Sequence, residues 1–95
     1  MADVQVTLKD GKISVDSNKV QASVSGGHKV KWKSHDGEFH IEFKPGSDWP
    51  NPTTSKDGSV WKAEAGPFSQ DGRTLSYAVK ATGHETLDPD IEILP

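Results

Sequence analysis

No cysteine occurs in the chain. Disulfides, thiolate nucleophiles, zinc–thiolate sites and iron–sulfur clusters are excluded together, since each needs a sulfur ligand that the sequence does not supply. Long apolar runs are missing as well. The opening stretch MADVQVTLKD has neither a basic leader nor a hydrophobic segment, so we expect no signal peptide and no membrane insertion for the chain as it stands. A sustained basic tract is also absent. Eleven Lys and Arg are scattered among fourteen Asp and Glu, for a net charge of −3, and we expect no nucleic-acid partner. The Asn51-Pro52-Thr53 triplet carries proline at its centre and is not a glycosylation acceptor.

Helical signals are lacking too. No 11-residue window sets apolar residues at i, i+3, i+4 and i+7 between convincing caps. What is present instead is alternation. Val4, Val6 and Leu8 alternate with polar residues up to Asp10-Gly11, and Ile13 and Val15 follow. Val20, Ala22 and Val24 repeat the pattern before Gly26-Gly27. HKVKWK, EFHIEF, RTLSYAVK and IEIL are further alternating or apolar segments, as half-buried strands require. A composition of 32% hydrophobic and 26% charged residues is polar yet regular enough for a core. Ninety-five residues suit one domain. These patterns predict an all-β fold, an antiparallel Greek-key sandwich of seven or eight strands. Residues 44 to 58, KPGSDWPNPTTSKDG, read as a long irregular loop, the kind that carries function or moves.

The stretch GEFHIEF raises the sharpest question. Pairing HKVKWK with EFHIEF across a Ser34–Gly37 turn sets Lys33 against Glu38, Lys31 against His40 and Lys29 against Glu42 on one face. Trp32, Phe39, Val30 and Ile41 then share the other. On that reading His40 points to water beside a lysine, an unfavourable place for a cation. Four histidines, His28, His35, His40 and His84, offer nitrogen ligands for Cu(II), Ni(II) or Zn(II), but no HxH or HxxxH spacing joins them. Glu85, Asp88 and Asp90 offer oxygens, yet they lack the EF-hand pattern and read as a turn. Trp49, within SDWPNP, is the aromatic we expect at a ligand or partner contact, because a ring held between prolines loses little freedom on binding. Nothing like GxSxG accompanies the serines, histidines and aspartates, so we do not expect an enzyme.

A strand ending in VKW, a polar turn, a strand with an early His, a long loop and a terminal YAVKATGHETLDPDIEIL together resemble a cupredoxin-like domain. The resemblance implies a Greek-key sandwich that holds copper by a His at His40 and by a Cys, a His and a Met from the last loop. Aligning Tyr77 with the family's aromatic residue puts Val79, Thr82 and Leu87 at those three positions. A blue-copper centre is therefore not expected, since the trigonal His₂Cys set defines it. Copper remains open only through histidines, with His40 and His84 as the candidate metal pair. The resemblance further implies a periplasmic or extracellular setting and a monomeric, non-catalytic binding or accessory module. Its ligand or protein partner is unknown, with contact through the 44 to 58 loop or the 81 to 90 loop. Alternatives are a histidine-based carrier of copper or another divalent metal, and an immunoglobulin-like or carbohydrate-binding module.

Overall fold

The computed structural model describes residues 2–17, 19–44, 51–68 and 74–94. Nine strands follow in order: β1 Ala2–Lys9, β2 Lys12–Val15, β3 Lys19–Ser23, β4 Val30–Ser34, β5 His40–Phe43, β6 Ser55–Asp57, β7 Val60–Ala65, β8 Thr74–Lys80 and β9 Asp90–Leu94. No helix occurs among the described residues. The strands form a five-stranded sheet in the order β2-β1-β4-β7-β6 and a four-stranded sheet in the order β3-β9-β8-β5. Two pairings, β1 with β4 and β3 with β9, are parallel. The sheets are thus mixed, not purely antiparallel, and the described residues form nine strands where seven or eight were expected. One added strand is β6, which lies in the stretch expected to be irregular. All three of its residues are exposed, so it shows no apolar alternation, and it is held only by its antiparallel pairing with β7 around a turn that contains Gly58 at φ 64°.

The expected hairpin between HKVKWK and EFHIEF does not form. β4 lies between β1 and β7, whereas β5 is the edge of the other sheet beside β8. Lys31 faces Glu64 and Lys33 faces Lys62, while His40 faces Lys80 and Glu42 faces Ala78. The residues expected to point inward, Val30, Trp32, Phe39 and Ile41, are all buried, and so is Phe43. They reach the core from opposite sheets instead of lying side by side in one. Residues 35 to 38 are a crossing tied to β1 and not a hairpin turn. The Asp36 carboxylate accepts from the Leu8 amide at 3.0 Å, and the Asp36 amide donates to Ser34 Oγ at 3.2 Å.

The two sheets enclose one apolar cluster, to which Val4, Val6, Val20, Ala63, Leu75, Val79, Ile91 and Ile93 also belong. Its polar element is a pair that spans the sandwich. Trp32 of β4 donates through Nε1–H to the Tyr77 hydroxyl of β8 at 3.1 Å, and the rings meet edge-on with centroids 5.3 Å apart. Phe43 adds a second edge contact to Tyr77 at 6.4 Å. Such a pair satisfies the indole donor that burial would otherwise leave stranded.

Burial pushes the Tyr77 phenol above its ordinary pKa, opposed in part by the Trp32 hydrogen bond, with Asp90 and Asp16 adding a smaller upward push. The folded-state value therefore lies above the unfolded one. Below about pH 10 both states keep the proton. As pH rises further the unfolded chain releases it first, so stability is lost from there up through the folded-state value. Tyr77 is the only tyrosine, which makes phenolate absorbance a reporter for this one site. Ionisation should be delayed beyond about pH 10 and should coincide with loss of the near-ultraviolet dichroism of the packed rings. Ionisation near that ordinary value with the dichroism intact would contradict the burial.

Candidate functional site

At one end of the sandwich the crossing between β4 and β5 meets the turn that follows β8. Between them lies a cleft of about 320 Å³ lined by Leu8, Asp36, Gly37, Glu38, His40, Ala81, Thr82 and His84. Backbone bonds hold its walls. Val79 and Leu87 exchange two bonds, 2.8 and 3.2 Å long, that close the 80 to 86 loop. The Glu85 amide donates to the Gly11 carbonyl at 2.8 Å, so the loop is pinned to the β1–β2 turn. The polar loop composition is what allows this, since its amides are free to bond to neighbouring carbonyls instead of to a ladder.

His40 and His84, which were read as a candidate pair, do line the same cleft. The His84 Nδ1 atom lies 2.9 Å from the Thr82 carbonyl oxygen. A carbonyl can only accept, so Nδ1 carries a hydrogen, and in the neutral ring the lone pair is on Nε2. The nearest charged group to the exposed His40 is not the expected Lys31. Its Nε2 lies 3.6 Å from Glu38 Oε1, and the Lys80 ammonium across the strand pair is turned to Glu42 at 2.9 Å. Glu38 thus stands beside His40, and the lysine that faces it is Lys80 instead of Lys31, because the strand partner is β8 and not β4.

The other histidines are elsewhere. His35 Nδ1 lies 3.4 Å from Gln5 Nε2, and His28 accepts the Ser23 amide through Nδ1 at 3.2 Å. Glu85, Asp88 and Asp90 do not converge. Asp88 pairs with Lys44 at 2.6 Å, and Asp90 accepts from the Ser76 hydroxyl at 2.9 Å. No group of three His, Cys, Asp or Glu that could hold a metal ion occurs among the described residues. The resident copper that the resemblance implies does not fit. Val79 is a buried aliphatic residue, and neither it, Thr82 nor Leu87 carries a thiolate, imidazole or thioether. Trp49 lies outside the described residues, which leave out 45–50.

The sequence reading missed Leu8, Asp36 and Glu38 as cleft residues. By composition Asp36 belongs to a turn and Glu38 to a strand face, and only their position in a crossing between sheets brings them to this end. No family model matches the chain, and no curated protein matches it.

Proposed function

We propose that the chain is a non-catalytic, cupredoxin-like binding module without a blue-copper centre, and that it takes a small ligand or a partner's side chain in the 320 Å³ cleft at the end of the sandwich. The observation that carries this reading is the composition of that cleft. Apolar Leu8 and Ala81 stand beside the carboxylates of Asp36 and Glu38, the Thr82 hydroxyl and two imidazoles. Polar and charged groups beside a smaller apolar part give a ligand both fixed hydrogen-bond partners and some contact area. The carboxylates, and Nε2 of the neutral His84 ring, are acceptors, so the ligand that suits them donates hydrogen bonds.

The test is a panel of amine- and amide-bearing fragments screened by ¹⁵N amide shifts. Shifts should concentrate on residues 36 to 40 and 81 to 84. The double variant Glu38→Gln, His84→Ala should weaken the best fragment by about tenfold or more, which corresponds to about 1.4 kcal/mol. Shifts centred elsewhere would overturn the reading.

A histidine-based metal carrier is the second reading, favoured by the two imidazoles lining one cleft and by the Nε2 lone pair of the neutral His84 ring. Paramagnetic Cu(II) added to the labelled protein distinguishes it. Bleaching centred on His40 and His84 at stoichiometric copper would replace the first reading with this one. Diffuse bleaching would retain the first.

A further inference from the structure

The outer face of the five-stranded sheet carries two adjacent rows of side chains with different charge balance. In one row the register sets Asp3 beside Lys31 and Lys31 beside Glu64. Charges there alternate and neutralise one another. In the next row Gln5 lies beside Lys33, Lys33 beside Lys62, and Lys62 beside Ser55. That row spans four strands and contains no carboxylate between β1 and β6; the nearest one along it is Asp16, beyond Gln5, whose carboxylate accepts the Gln5 amide at 3.0 Å. Its two ammonium-bearing residues are directly opposite one another in an antiparallel pair, an arrangement that costs stability unless something negative lies between them.

The surrounding carboxylates do not balance this row. Glu64 is shared by two lysines, Lys29 at 3.3 Å and Lys31 at 3.8 Å. Lys62 reaches Asp57 at 3.2 Å, but that carboxylate is 77% exposed and its hold on the ammonium is screened by water. Lys33 has no ion pair within 4.0 Å among the described residues. Beside the row opens a second cavity, of about 360 Å³, lined by Lys31, Thr53, Ser55, Lys62, Ala63 and Glu64. Two ammoniums and two hydroxyls therefore line a space large enough for a small anion, together with one carboxylate, Glu64, that is itself paired with Lys29 and Lys31. The lysine stems lie partly buried on the sheet, with the Lys31 and Lys62 side chains only 31% and 39% exposed. Less side-chain freedom is then lost when the heads close on a ligand.

We propose that this groove binds a doubly charged tetrahedral oxyanion, a sulfate or phosphate group, held by the Lys31, Lys62, Ser55 and Thr53 side chains that line the cavity, with Lys33 adding charge from its place opposite Lys62 and the Glu64 carboxylate staying with Lys29 and Lys31. Two lysines supply point charges without the planar fork that arginine offers a carboxylate. The row therefore favours charge over shape and accepts either tetrahedral anion. The surface is separate from the cleft at the end of the sandwich and does not depend on the reading given to that cleft.

Sodium sulfate and sodium phosphate, each titrated into the ¹⁵N-labelled protein at an ionic strength held constant with sodium chloride, test it. Saturable shifts confined to residues 31 to 33, 53 to 55 and 62 to 64 are expected, and the double variant Lys33→Gln, Lys62→Gln should lose at least about tenfold in affinity. The control Lys19→Gln, on the other sheet, should bind as the parent does. Saturation by one tetrahedral anion alone still supports the groove and names its source. Shifts that spread over all lysines without saturating, or that persist in the double variant, overturn the proposal and mark the response as screening only. The double variant should fold at least as stably as the parent, because it relieves a like-charge pair, and a denaturation curve checks that the loss of binding is not a loss of structure.

Discussion

Trp32→Ala is expected to destabilise the fold by about 3–5 kcal/mol, a large share of the roughly 5–15 kcal/mol that holds a domain together. Trp32 and Tyr77 are both fully buried, and they sit in opposite sheets, so the substitution opens a cavity where the layers meet. It also removes the only described donor to the Tyr77 hydroxyl. The hydrogen bond can be separated from the packing by a cycle of smaller changes. Tyr77→Phe leaves the indole N–H buried without its acceptor and should cost about 1–3 kcal/mol. Trp32→Phe leaves the phenol without its donor and removes part of the ring as well. The double variant Trp32→Phe, Tyr77→Phe should cost less than the sum of the two, since its second change abandons a group already orphaned. Urea denaturation of the four proteins measures this. Strict additivity would mean that the two groups do not interact, contrary to the 3.1 Å contact.

Gly66→Ala is the second change with a large expected effect. Gly66 has φ 111°, outside even the left-handed helical well that other residues occasionally visit. A Cβ built there would stand 3.1 Å from the His28 carbonyl oxygen and 3.1 Å from Lys29 Cα. Both obstacles are backbone, so no rotamer change relieves them. Strain of about 1–3 kcal/mol from the dihedral and a similar cost from the crowding should combine, and the entry to β4 should shift. Gly58 provides the comparison. It has φ 64° and nothing within 4 Å of a would-be Cβ, so Gly58→Ala should cost only about 1–2 kcal/mol. Denaturation midpoints decide the matter. Equal losses at the two positions would mean that the backbone at residues 28 and 29 yields easily.

The faces of the strands were legible in the sequence because the side-chain period of two is a local property. Val30, Trp32, Phe39 and Ile41 were assigned inward, His40 and Glu42 outward, and each stands so. Strand partners were not legible. Lysines against glutamates across a four-residue turn suggested a hairpin, yet Lys31 meets Glu64 from a strand some thirty residues later. Ser34-His35-Asp36-Gly37 has the composition of a turn whether the chain doubles back within one sheet or crosses to the other. The choice is made by which neighbours cover Trp32 and Phe39, and that is a tertiary matter. The cleft was half legible for the same reason: His40 and His84 stood out by their chemistry, whereas Asp36 and Glu38 became neighbours only through the crossing. The like-charged row Lys33 and Lys62 left no mark in the sequence, because nothing local pairs β4 with β7.

The parallel pairing of β3 with β9 bears on how the molecule is made. β3 is an edge strand whose only ladder partner is β9, and Lys19 to Ser23 align with Asp90 to Leu94. During synthesis β3 emerges early, yet it has nothing to pair with until the ribosome has added some seventy residues more. β8 likewise has an open side until then. The four-stranded sheet is therefore completed late and across a long chain separation, the kind of closure that places β-sandwiches among the slower-folding small domains. Through that interval Val20 and Ala22, both buried in the finished protein, lack the neighbouring strand that carries Ile91 and Ile93.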